Sequence, residues 1–93
     1  MPFVYILRCA DNTFYVGHTD DIRSRERSHN DGFGSSYTAA RRPVQVVYSE
    51  AYATLASAVN REHQLKRWSA KKKEALVVGN LALLKGLSKR RSA

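Results

Sequence analysis

An α+β domain with a small, mainly antiparallel three-stranded sheet flanked by helices is the fold class this sequence predicts, on three observations. Short runs rich in β-branched and aromatic residues fill the first half of the 93-residue chain, helical periodicity takes over after residue 54, and turn residues punctuate both. The length allows one modest core and no second domain. Residues 1–84 are taken as that domain and 85–93, "KGLSKRRSA", as a basic C-terminal tail.

The elements follow in order. "FVYILRC" reads as a strand, "ADNT" as a turn and "FYV" as a second strand, which Gly17 is expected to end. Thr19, Asp20 and Asp21 offer capping oxygens and favourable charge for a helix over about 21–29. "NDGFGSSYTAARRP" is a Gly- and Ser-rich loop, and "VQVVYSE" after Pro43 is a third strand. Helices are expected over about 54–67 and 70–78, the latter between Ser69 as N-cap and Gly79 as stop, and Asn80 is placed to cap a last short turn.

Composition narrows the function classes. Cys9 is the only cysteine, which excludes an intrachain disulfide and a cysteine-rich zinc site and suits a reducing cytoplasm. No apolar run approaches the roughly 20 residues that span a bilayer, and no signal peptide opens the chain, so no membrane partner is expected. The net charge of +8 is carried entirely by the second half: residues 1–50 hold six Lys or Arg against six acids, residues 51–93 ten against two. Such asymmetry points to an anionic partner, with nucleic acid the leading candidate and a solvated basic face the alternative. The candidate contacts are Arg41, Arg42, Lys66, Arg67, Lys71, Lys72 and Lys73.

Two segments place polar groups where apolar ones belong. Glu62 falls in the stripe of Leu55, Ala58, Val59 and Leu65, and a buried carboxylate must be paired or bind a metal. In "DDIRSRERSH" the inward face marked by Ile22 continues through Arg25 and His29. These groups either form an ion pair, such as Arg25 with Glu62 or Glu62 with a neighbouring cation, or line a cleft. Tyr5 and Tyr15 share a sheet face only if the loop between their strands has an odd number of residues, for example Asp11 to Thr13.

Taken together, "FVYILRC", "FYVGHTDDIRSRERSHN", "GSSYTAARRPVQVVYSE" and "NREHQLKRWSAKKKEAL" resemble the GIY-YIG nuclease family, in particular its short, single-domain bacterial subgroup, over residues 3–78. The resemblance sets the first motif on Phe3-Val4-Tyr5 and the second on Tyr15-Val16-Gly17. It implies a catalytic Arg25, a histidine at His29, a metal-binding Glu62 and a general base at Tyr5. Phe3 stands in place of the family's glycine, His18 where some relatives carry lysine, and the later asparagine has only Asn80 as a counterpart. The implied activity is hydrolysis of phosphodiester bonds in DNA by an endonuclease using one Mg²⁺ or Mn²⁺. A non-catalytic or weakly active nucleic-acid-binding module on the same fold is the alternative.

Overall fold

Unbroken burial from Val4 to Leu7 along "FVYILR" identifies the strand at the centre of the sheet. In the computed structural model, which describes residues 1–79, β1 (Phe3–Arg8) is covered on both faces and pairs antiparallel with β2 (Phe14–Thr19) and with β3 (Gln45–Ala51), giving the order β2-β1-β3. Helix α1 (Ile22–Asn30) and the short α2 (Ser36–Ala39) separate β2 from β3, and α3 (Leu55–Lys66) and α4 (Ala70–Val77) follow. The three-stranded antiparallel sheet and its flanking helices are the expected α+β architecture. The turn expected from Asn80 and the basic tail lie outside the described residues.

The β1–β2 hairpin turns through Ala10–Asn12. Cys9 N–H reaches Thr13 O at 2.8 Å, Asn12 N–H reaches Cys9 O at 2.9 Å, and Asn12 takes the left-handed conformation at φ 67°. The loop has an odd count, as the shared-face condition demands, although it sits one residue earlier than Asp11 to Thr13. Tyr5 therefore opposes Gly17 and Leu7 opposes Tyr15, and both tyrosines stand on one face. Gly17 does not end β2, which continues to Thr19. Its lack of a side chain serves Tyr5 instead: a Cβ there would meet Tyr5 Oη at 2.5 Å.

Each sheet face has its own cover. Val4, Ile6 and Val16 pack with Ala58 and Leu65 of α3 and with Leu76 and Val77 of α4, forming the main apolar core. On the other face Tyr5, Leu7, Cys9 and Val44 form a smaller cluster with Tyr15, Tyr37 and Val46. Helix α1 lies on this side and buries only His29. Because it has almost no apolar stripe, polar ties hold it: Glu26 Oε2 accepts from Val46 N–H at 2.7 Å, while the Asn30 amide accepts from Val44 N–H at 2.7 Å and donates to Val44 O at 3.0 Å. These bonds satisfy backbone groups at the entry to β3 that would otherwise lack partners.

Caps fix the helix ends. Asp21, Thr54 and Ser69 accept from Ser24, Ser57 and Lys72 N–H, and Ser35 accepts from Thr38 N–H to start α2 inside the expected loop. Helix α4 ends at Val77, with Gly79 beyond it at φ +74°, as its sequence anticipates.

Candidate active site

Where β2 passes between α1 and α3, a cleft of about 200 Å³ is lined by Tyr5, Tyr15, Gly17, His18, Arg25, His29, Gly34 and Glu62. All five residues singled out for catalysis thus meet in one place, from four elements separated widely in sequence. A second hollow, lined by His18, Thr19, Asp20, Asp21, Arg25 and Leu55, shares His18 and Arg25 with it and extends the groove past the start of α1. A larger hollow bounded by Asn30, Ala39, Ala40, Arg42 and Pro43 offers only Arg42 as a charged group, and that guanidinium already donates to Ala39 O at 2.9 Å.

Tyr5 reaches the cleft from the central strand and bonds to His29 Nε2 at 2.9 Å. The other ring nitrogen, Nδ1, lies 2.7 Å from Thr38 Oγ1, whose hydroxyl has Ser35 O as an acceptor at 3.3 Å. This pattern assigns the proton of neutral His29 to Nδ1, donating to Thr38, and leaves Nε2 to accept from the phenol. Burial, followed by the Arg25 charge, lowers the His29 pKa and favours that neutral ring, which is 1% exposed. Burial, with Tyr15 and Glu62 adding to it and Arg25 opposing, raises the Tyr5 pKa, so the phenol holds its proton at rest. Tyr15 stacks edge-on to His29, with ring centroids 5.1 Å apart.

Glu62 is 7% exposed and points into the same cleft. One carboxylate oxygen accepts from His18 Nδ1, and the other accepts from Lys66 Nζ at 2.6 Å one helical turn on. The expected pairing of Glu62 with a nearby cation is therefore present, with Lys66 as the partner. Arg25 is exposed and makes no ion pair among the described residues, so an Arg25–Glu62 bridge is absent there. Burial pushes the Glu62 pKa up, but the bonds from Lys66 and His18 outweigh it and the net shift is downward. The acid stays ionised.

Among the described residues no group of three or more His, Cys, Asp or Glu could hold a metal ion. A cage built wholly from protein is thus missing there, but magnesium seldom needs one. It keeps several waters and commonly takes one or two carboxylates together with substrate phosphate oxygens. One ionised carboxylate opening on a cleft beside an arginine fits that donor set, provided Glu62 exchanges Lys66 or His18 for the cation.

The basic candidates are more dispersed in role. Lys66 is engaged by Glu62. Arg41 stacks over Tyr37, 3.8 Å from the ring centroid, and bonds Asp11, while Arg42 braces the loop through Ala39 O and Asn30 O. Arg67 and Lys71 are exposed, and Lys73 is half-buried. Lys72 is only 6% exposed, with Nζ 4.1 Å from the Trp68 ring centroid.

Sequence reasoning missed Thr38, His18 as a partner of Glu62, and the steric role of Gly17. Ser35, a residue type favoured at helix N-caps, is the one local signal near Thr38. No helix among the described residues is long and apolar enough to cross a membrane.

Comparison with known proteins identifies the family. The family model for the GIY-YIG catalytic domain matches residues 1–75. A UPF0213 protein of Bacillus pumilus is 43% identical over 75 residues, covering 81% of this chain and 76% of that protein. The UPF0213 protein YazA of Bacillus subtilis is 40% identical over the same shares. The solution NMR structure of a UPF0213 protein from Bacillus halodurans superposes with a TM-score of 0.54 at 38% identity, covering 84% of each chain. GIY-YIG domains are nuclease domains that act on nucleic acids, generally with divalent metals. The chain therefore belongs to the GIY-YIG family, alongside its short, single-domain UPF0213 members.

Proposed function

We propose that this domain is a cytoplasmic, divalent-metal-dependent endonuclease that hydrolyses phosphodiester bonds in DNA. The observation that carries the reading is the 2.9 Å contact between Tyr5 Oη and a neutral His29 Nε2, in a cleft shared with Arg25 and Glu62. A phenol that holds its proton cannot act as the base by itself. Joined to an imidazole that can accept its proton, it becomes a relay: as Tyr5 Oη takes a proton from the attacking water, its own proton passes to His29 Nε2. His29 keeps its other proton on Nδ1, donated to Thr38 Oγ1, which holds the ring in the accepting orientation.

Arg25, unpaired with any acid among the described residues, is available to grip the nonbridging oxygens of the scissile phosphate with its planar fork. Glu62 would hold one Mg²⁺ or Mn²⁺, which when bound supplies charge neutralisation for the phosphate and the departing oxygen. Tyr15 and Gly17 shape the cleft around the Tyr5 ring. Arg67 and Lys71, exposed in the basic second half, join Arg41, Arg42 and Lys73 as backbone contacts that position DNA without reading its sequence.

One observation favours a second reading. Both Glu62 oxygens already have cationic or hydrogen-bonding partners, so the cleft is also consistent with a nucleic-acid-binding module that turns over slowly or not at all. Incubation of end-labelled DNA with the protein, with and without Mg²⁺, separates the two. Metal-dependent fragments that vanish in Glu62→Gln support the nuclease; binding without cleavage at any Mg²⁺ or Mn²⁺ concentration supports the module.

A further inference from the structure

Helix α1 ends in a tightly bonded turn. Asp31 N–H reaches Arg27 O at 2.8 Å, Gly32 N–H reaches His29 O at 3.1 Å, and Phe33 N–H reaches Ser28 O at 2.9 Å, with Gly32 at φ +90°. These are the paired bonds of a Schellman cap. In such a cap the residue after the glycine usually lays an apolar side chain on the helix residue whose carbonyl it caps. Here that helix residue is Ser28, and Phe33 is left 84% exposed, more than any other large hydrophobic among the described residues.

Phe33 also adjoins the cleft along the chain. Gly34, the next residue, lines it, and any Cβ on Gly34 would collide with the His29 imidazole. Arg42 braces the turn from the other side through Asn30 O and Ala39 O. The backbone on both sides of Phe33 is thereby fixed, about 3.8 Å along the chain from a cleft-lining residue. Phe33 thus projects from a hydrogen-bonded turn rather than a loose loop tip.

We propose that Phe33 is a stacking platform for an unpaired base beside the phosphate held in the cleft, which makes the substrate DNA that is single-stranded or frayed at the cut, not continuous duplex. The inference rests on the nuclease reading of the cleft. Within a duplex both faces of each internal base are already covered by its neighbours, so an aromatic side chain gains a partner only where a base is unstacked. The surroundings favour a base over other occupants. Asp31, Gly32, Gly34 and Ser35 add no apolar area for a protein partner, so a single planar base matches the one exposed ring.

The test uses the full chain in EDTA, where binding is read without turnover, and DNA oligonucleotides carrying 2-aminopurine at successive positions, single-stranded or in blunt duplex. The wild type is expected to quench one position of the single strand. Phe33→Ala should lose that quenching and bind the single strand roughly 5- to 150-fold more weakly, the range for one aromatic–base stack, with duplex affinity within about twofold. Phe33→Trp should keep both, and an abasic site at the quenched position should make wild type and Phe33→Ala bind alike. Equal losses on single strand and duplex, or no loss on either, would overturn the proposal. Parallel cleavage assays in Mg²⁺ keep the two readings apart: Phe33-dependent quenching without cleavage of any substrate removes the nuclease and leaves the platform, whereas cleavage indifferent to Phe33 removes the platform alone.

Discussion

Glu50 and Glu62 are both acids drawn in by helix α3, yet their partners are of opposite kinds. Glu50, on β3, accepts from Tyr48 Oη at 2.5 Å, Tyr52 Oη at 2.7 Å, and Arg61 Nε and Nη2 at 3.0 and 3.1 Å. Its carboxylate is held by a two-pronged arginine and two phenols, and Arg61 in turn lies 5.1 Å from the Trp68 ring centroid. Glu62 has only His18 and Lys66, whose side chains are 40% and 48% exposed. Both carboxyl pKa values end up lowered against the pull of burial. An ionised acid held partly or wholly out of water is therefore no mark of a functional site. What separates the two is whether the partners can leave and whether a cleft lies beside them.

Exchanging each acid for its amide is the strongest way to break this contrast. Glu62→Gln is expected to reduce metal-dependent cleavage by about 10³-fold, equivalent to roughly 4 kcal/mol of barrier, with a modest change in melting temperature. Glu50→Gln should do the reverse, lowering stability by about 3 kcal/mol because Arg61 loses its counter-charge, while folded protein keeps its activity. Melting and cleavage measured on both variants check the pair, and a Glu62→Gln protein that cuts normally at saturating Mg²⁺ would place Glu62 with Glu50 as a structural acid.

Next in size are the groups proposed to handle the proton and the phosphate. Tyr5→Phe should lower kcat by about 10²-fold or more and leave DNA affinity nearly unchanged, since only the hydroxyl in contact with His29 is removed. Arg25→Lys should be nearly as harmful as Arg25→Ala, because a point charge does not reproduce the bidentate fork. Single-turnover rates beside binding isotherms test both. A larger loss in Tyr15→Phe than in Tyr5→Phe would move the base to Tyr15.

Acid should expose the same contrast in two stages. His29 has a pKa below its ordinary 6.5, so the unfolded chain takes up a proton that the native ring resists, and stability falls as pH drops below about 6.5. The lowered carboxyls act later: their contribution is present above the ordinary 4.5 and is lost as pH falls through the lower native values. Denaturation curves recorded across this range should show the first stage removed by His29→Ala. Glu62→Gln should remove only part of the second, since Glu50 titrates there too.

The smallest expected effects lie in the basic segment. Lys71→Gln should weaken binding to unrelated DNA sequences alike and reduce the logarithmic salt slope by roughly 0.7 to 0.9. Lys72→Gln should leave that slope unchanged and cost about 1 kcal/mol of stability through its lost contact with Trp68. Salt titrations of the two variants distinguish them.

These differences show what was readable from residue order. Local rules reached the hairpin, the capped helices and the polar face of α1, because spacing alone sets which side chains share a face. The five cleft residues were reached through spacing and family resemblance together. Gly17 was misread as a strand end because its purpose, room for the Tyr5 ring, depends on cross-strand register. The His18–Glu62 contact was likewise hidden, since it joins β2 to a helix more than forty residues later. Helix α2 escaped notice because four residues of "SYTA" carry no periodicity, although Ser35 marks its start. Lys72 looked like one of three equivalent lysines until Trp68 was seen to lie under it.

The dispersal of the cleft along the chain also matters during synthesis. A nascent chain that has released β1, β2 and α1 already carries Tyr5, Arg25 and His29, but Thr38, which orients the imidazole, and Glu62 are still to come. Translation proceeds from the N-terminus at about 5 to 20 residues per second, so for some seconds the ribosome holds a chain with four of the five proposed catalytic side chains, Tyr15 included, and no cleft. On the proposed mechanism, cutting starts only when α3 docks on the sheet. On that reading the domain stays inert until its last required element has folded.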